Sequence, residues 1–132
     1  MKVMLDTNIC IYIIKQQPPA VIERFLSHQV GDVGVSTITV AELAYGVGKS
    51  RHHAKNRLAL EQFLAPLDVA TFDQDAALAY GGLRAHLERK GSPIGSMDLL
   101  IAAHALSLGV RLATNNLREF RRVPGLRAEN WA

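Results

Sequence analysis

Apolar positions along the chain fall into two kinds of run, and the two kinds alternate. Short blocks that read as strands are Lys2–Leu5, Val33–Ser36, Leu67–Thr71, Val110–Thr114 and Leu126–Asn130. Between them lie longer stretches whose apolar residues recur at helical spacing. Asp6-Thr7-Asn8 offers capping residues before the apolar run Ile9–Ile14. Pro18-Pro19 breaks that helix and starts another over Ala20–Gln29, with Val21, Phe25 and Leu26 at helical spacing. Thr39 is expected to open a helix that Gly46 and Gly48 end. A further helix, about His52–Leu64, stops at Pro66. Asp73–Lys90 reads as a long helix with Ala76, Leu83 and Leu87 on one face. Its interior pair Gly81-Gly82 costs about 1 kcal/mol each against Ala, so close packing or a kink is expected there. Met97–Leu108 is apolar nearly all round, which predicts burial, with Gly109 as its C-cap. A short turn of helix precedes the last strand.

Strands alternating with helices predict an α/β fold, with a mostly parallel central sheet of four to five strands and helices on both faces. At 132 residues one domain, spanning 1–132, is the expected organisation. In such sheets ligands bind beyond the carboxyl ends of the strands, and that edge is where chemistry is to be sought.

Composition narrows the classes. With 48% hydrophobic residues the chain is too apolar for a disordered one. Runs such as Leu99–Ala103 are far shorter than the ~20 residues of a membrane span, so no membrane association is expected. The first residues lack the pattern of a signal peptide, and a single cysteine, Cys10, cannot form an internal disulfide. Both point to a reducing, cytoplasmic setting. Cys10 lies in an apolar run and reads as a small buried hydrophobe. The net charge of +3 permits a nucleic-acid partner without requiring one.

Three acids fall just after predicted strands or at helix starts: Asp6, Glu42 and Asp98. Taken singly, each fits a structural role. Asp6 is a competent N-cap, Thr39-Val40-Ala41-Glu42 matches a capping box, and Asp98 suits the first turn of a helix. Taken together, they converge on one edge of a parallel sheet, where carboxylates without a cation repel one another. A shared hard divalent cation relieves that repulsion. No Cys/His pair has the spacing of a zinc site. Thr114-Asn115-Asn116 follows the fourth predicted strand and adds polar groups to the same edge.

Val3-Met4-Leu5-Asp6-Thr7-Asn8 resembles the opening of a PIN domain. Ser36-Thr37-Ile38-Thr39-Val40-Ala41-Glu42-Leu43, followed by Gly46, is similar to that family's second motif. Ile94-Gly95 with Asp98–Ala105 resembles the third. Leu112-Ala113-Thr114-Asn115-Asn116, Glu119-Phe120 and Val123-Pro124-Gly125-Leu126 resemble the fourth motif and the C-terminal strand. The likeness covers essentially the whole chain, in order, and is greatest to the VapC toxins of type II toxin–antitoxin pairs.

The resemblance implies a PIN-like fold and a magnesium- or manganese-dependent endoribonuclease toxin. It places Asp6, Glu42 and Asp98 as the catalytic and metal-holding acids. Met4–Tyr12 is similar to the branch associated with initiator tRNA cleavage in the anticodon loop, so a structured RNA of that kind is the expected substrate. It implies a cognate antitoxin, and a homodimer within a larger toxin–antitoxin assembly. A PIN nuclease acting on rRNA or mRNA, and a catalytically silent RNA- or protein-binding module, are the alternatives. The run Ile9–Ile14 carries apolar surface that suits the chain's own core, an antitoxin groove or a homodimer seam.

One position departs from the family's pattern. Many PIN domains carry Asp where this chain has Asn116, and Glu119, three residues on, is a candidate for the missing carboxylate. Thr7 and Thr114 place hydroxyls beside the acids, able to orient water or a carboxylate. The basic run Lys49–Arg57, with Arg51, Lys55 and Arg57, is a candidate RNA contact. It also fits a solvated surface. A second basic cluster, Arg118, Arg121, Arg122 and Arg127, follows the fourth motif. His104, within the apolar helix, reads as a packed residue.

Overall fold

The computed structural model describes every residue, Met1–Ala132. Five strands form one sheet: β1 Val3–Leu5, β2 Val33–Ser36, β3 Asp68–Ala70, β4 Arg111–Thr114 and β5 Ala128–Asn130. The spatial order is β3-β2-β1-β4-β5 and every pairing is parallel. Seven helices connect them: α1 Thr7–Lys15, α2 Pro19–Leu26, α3 Thr37–Gly48, α4 His53–Leu64, α5 Gln74–Arg89, α6 Ser96–Leu108 and α7 Leu117–Phe120. None is long and apolar enough to cross a membrane.

The strands sort their side chains by the two-residue period of an extended chain. In β1, Val3 and Leu5 join one core cluster with Ile9, Cys10, Ile13, Val21 and Leu43. Met4, between them, joins the other with Leu83, Leu87, Leu99 and Ile101. Each face of the sheet therefore has its own core: α1 to α4 cover one face, and α5 and α6 the other. This two-sided cover explains why β1 and β4 read as continuous apolar runs rather than alternating ones. In β2, Gly34 lies so close to β3 that a Cβ there would collide with the Asp68 carbonyl oxygen. α6 is buried as its all-round apolarity predicts, and Gly109 caps it in the left-handed region at φ 68°.

Several expectations are corrected. α3 begins at Thr37, not Thr39, because Ser36 is the cap that accepts from the Ile38 amide at 3.0 Å. The capping box at Thr39 therefore does not form, and the helix runs through Gly46 to Gly48. α2 ends at Leu26, three residues short of the predicted Gln29. Gly81 and Gly82 are exposed, with nothing within 4 Å of where either Cβ would stand, so the close packing expected there is absent. In α1, Ile9, Cys10 and Ile13 enter the core while Ile11 and Ile14 are half-buried. Cys10 is fully buried, and that burial pushes its thiol well above its ordinary value.

Candidate active site

The chain leaves β1 in one direction, building β2 and β3. It then returns to place β4 and β5 on the other side of β1. The order reverses between β1 and β4, and at such a switch point the connections diverge and open a crevice beyond the strand ends. Asp6 follows β1 directly, and Thr114-Asn115-Asn116 closes β4. The Asp6 amide bonds the Ala113 carbonyl at 3.0 Å, locking the two strand ends together.

Asp6 is 3% exposed and is the N-cap of α1, its Oδ1 accepting from the Ile9 amide at 2.9 Å. Capping and site membership are thus not alternatives here. Burial raises its pKa, and the negative charge of Glu42 adds to the rise. The Thr114 hydroxyl and the Ile9 amide oppose it. Glu42 projects from α3, where its Oε1 accepts from the Thr7 hydroxyl at 2.6 Å. Thr7 Oγ1 also lies 3.2 Å from Thr39 Oγ1, so the two threonines bracket the approach of α3 to α1.

Asp98 stands in the first turn of α6. Its carboxyl is pushed up to about 7, chiefly by burial, then by Glu119, Asp6 and Glu42. After burial, Glu119 is the neighbour that adds most to the rise. Its own oxygens are held from two sides. Oε1 accepts from the Gly95 amide at 2.6 Å and Oε2 from Asn116 Nδ2 at 2.8 Å. Asn116 is the N-cap of α7, and Thr114 Oγ1 accepts from its amide at 2.9 Å. Sequence reasoning named Glu119 only as a candidate. The Gly95 amide was not foreseen, because a main-chain donor leaves no trace in residue type.

None of the four ion pairs in the molecule reaches Asp6, Glu42, Asp98 or Glu119. The group is therefore a set of hard oxygen donors whose mutual repulsion has no protein cation to offset it. That donor set suits Mg²⁺ or Mn²⁺. As the side chains stand, no three acids, histidines or cysteines lie within ligating reach of one point. Glu42 and Glu119 accept instead from neutral donors, the Thr7 hydroxyl in one case and the Gly95 amide and Asn116 in the other.

Arg51, Lys55 and Arg57 are exposed around the start of α4 and take no part in any ion pair. Arg118 and Arg121 are exposed on and beside α7, next to Glu119. His104 is buried as expected, its Nδ1 2.8 Å from the Ser36 hydroxyl and its ring edge-on to Phe72. It links α6 to the cap of α3, the helices that carry Asp98 and Glu42.

Comparison with known proteins agrees with this geometry. The family model described as "PIN domain" matches residues 3–126. A Shigella flexneri protein named tRNA(fMet)-specific endonuclease VapC is 47% identical over 132 residues, covering 100% of this chain and 99% of its own. The fold is similar to a VapC chain in the DNA-bound VapBC structure from Salmonella typhimurium. There the TM-score is 0.94 and the identity 45%, over 100% of this chain and 99% of that one. The promoter-DNA complex of VapBC from Rickettsia felis gives a TM-score of 0.91 at 41% identity, with both chains covered completely. Motifs, sheet order and whole-length relatives agree, and the chain belongs to the PIN-domain family, among its VapC proteins.

Proposed function

We propose that the chain is a divalent-metal-dependent endoribonuclease toxin that cuts initiator tRNA in the anticodon loop. The observation that carries this reading is the gathering of uncompensated carboxylates at the switch-point edge, where burial first, and then Glu119, Asp6 and Glu42, push Asp98 up to about 7. Relatives named as tRNA(fMet)-specific endonucleases support the substrate.

Asp6, Glu42 and Asp98, with Glu119 beside them, would hold Mg²⁺ or Mn²⁺. The ion would supply Lewis acidity toward water and toward the phosphate oxygens. The chain's own residues do the positioning. The Ile9 amide fixes Asp6, the Thr7 hydroxyl fixes Glu42, and the Gly95 amide and Asn116 fix Glu119. A single-stranded loop suits the site because its bases are unstacked and accessible.

An antitoxin is the proposed partner, as in the VapBC complexes that share this fold. A groove of about 270 Å³ runs beside Glu42, lined by Ile11, Ile14, Leu43, Val47 and Leu60. An apolar segment laid there would cover the half-buried side of α1 and reach Glu42. The active form is proposed to pair as a homodimer within that larger assembly.

The test is incubation of the purified chain with initiator tRNA in Mg²⁺, in chelator, and with Asp98→Asn. A single cut that needs both the metal and Asp98 is expected. An uncut tRNA, or the same cut in all three samples, overturns the reading.

A further inference from the structure

Beside the Ile94–Ser96 segment, α5 and α6 leave a cavity of about 170 Å³. Tyr80, Arg84 and Glu88 of α5 face Ile94, Ser96 and Leu99 across it. A void of about 150 Å³ admits a benzene ring, so one pyrimidine-sized ring fits this space. The walls are of two kinds. Ile94, Leu99 and the Tyr80 ring provide the apolar and aromatic surface on which bases settle. Arg84 and Glu88 provide charge.

The charged pair is arranged as an edge. Arg84 Nε donates to Glu88 Oε1 at 3.2 Å, and its Nη1 donates to the Tyr80 hydroxyl at 3.0 Å. Glu88 Oε2 and the remaining guanidinium N–H groups have no partner in the protein. An acceptor and a set of donors therefore stand side by side at the cavity. An ion pair this exposed contributes little to stability.

The cavity adjoins the segment that meets the acids. Ile94 and Ser96 flank Gly95, whose amide bonds Glu119. A Cβ at Gly95 would stand 3.6 Å from Glu119 Oε1 and 3.7 Å from Asp98 Oδ2. Arg122 pins the same segment by donating to the Pro93 carbonyl at 3.0 Å. Arg118 and Arg121, exposed beside Glu119, offer cations to flanking phosphates.

We propose that this cavity is a nucleobase subsite that takes a cytosine of the RNA strand, one or two nucleotides from the bond to be cut. Cytosine presents an exocyclic amine to the Glu88 carboxylate and a ring carbonyl to the Arg84 donors. Uracil held in the same pose turns a carbonyl oxygen toward the carboxylate and is disfavoured there. The subsite rests on the ribonuclease reading above, since it assumes that the strand passes the carboxylates.

RNA stem–loops that differ only by C or U at each loop position test it. Binding is measured in chelator and cleavage in Mg²⁺. The wild-type chain should favour C over U roughly tenfold at one position within two nucleotides of the cut, the discrimination typical of one good base-edge contact. Glu88→Gln should bring that ratio close to one, because its amide serves either base by rotation. Tyr80→Ala should weaken binding of the C loop, and Tyr80→Phe should retain most of it. No discriminating position, or a ratio that survives Glu88→Gln, overturns the subsite. Discrimination in binding without cleavage keeps a cytosine-selective cavity but removes the ribonuclease reading, and with it the register assigned to the base. Cleavage without discrimination removes the subsite alone.

Discussion

The Thr7 hydroxyl donates to Glu42 Oε1 at 2.6 Å, joining the first turn of α1 to the middle of α3. The bond sets where one carboxylate stands relative to Asp6, which α1 carries at its cap. Thr7→Val keeps the shape and deletes the donor. Loss of a group that orients a metal-binding carboxylate typically costs about 10–100-fold in activity or metal affinity. Cleavage by Thr7→Val should fall within that range while melting changes little, and Thr7→Ser should recover most of the rate. Parallel cleavage and melting assays decide it; full activity in Thr7→Val would make the bond incidental.

Asp98 makes the metal-free protein sensitive to pH. Its pKa is about 7 folded against 3.8 as an ordinary aspartate, so folding favours the protonated form. Between those values the native state binds more protons than the unfolded one, so stability falls as pH rises from about 4 to about 7. Burial is the main cause, and Glu119, Asp6 and Glu42 add to it. In chelator, melting should be higher at pH 5.5 than at pH 7.5, and Asp98→Asn should flatten the difference. A slope unchanged by Asp98→Asn would place its origin elsewhere.

Asn116 donates to Glu119 Oε2 at 2.8 Å, so Asn116→Asp turns a hydrogen bond into a carboxylate pair. The metal-free fold should lose stability. Mg²⁺ should bind more tightly, because one more negative charge faces the site. Opposite signs for the two effects are the signature; calorimetric titration and chelator melting read them. Equal values in both forms would take Asn116 out of the site.

Arg51, Lys55 and Arg57 are exposed and unpaired in the protein. If they contact phosphates, replacing all three with Ala should reduce the slope of log affinity against log salt by about 2–3, at roughly 0.7–0.9 per contact. The rate at saturating RNA should hardly change. An unaltered slope would mark this surface as solvated only.

Gly34→Ala should destabilise the sheet without touching the acids. The new Cβ collides with the Asp68 backbone carbonyl, which cannot swing aside as a side-chain tip can. Overpacking of this kind costs about 1–3 kcal/mol, and chemical denaturation measures it. A stability equal to wild type would show that β3 shifts freely.

Much of this architecture is legible in residue order. Val3–Leu5 and Leu112–Thr114 announce buried strands, and Asp6 announces both a cap and an acid at the sheet edge. The start of α3 is not legible in the same way. Ser36, Thr37 and Thr39 are all competent caps, and the choice depends on where β2 stops pairing, which is a tertiary fact. Glu119 was ambiguous for a related reason. A glutamate on a short helix looks like surface until the Gly95 amide, 24 residues away, is seen to hold it. Gly81 and Gly82 mislead in the opposite sense, since their cost in a helix is real while nothing in this chain packs against them.

The central strand pairs with partners remote along the chain: Met4 lies beside Gly34 on one side and Leu112 on the other. Closing the second pairing brings together residues more than a hundred positions apart, the kind of non-local step that slows folding. Asp6 meets Ala113 and Thr114 only after that closure. A chain with α1 to α4 packed on β1 and β2 alone would hold Asp6 and Glu42 without the other half of the crevice. Chemistry that needs both halves is therefore open only to a chain that has made the long-range pairing, and one stalled short of it holds half a site.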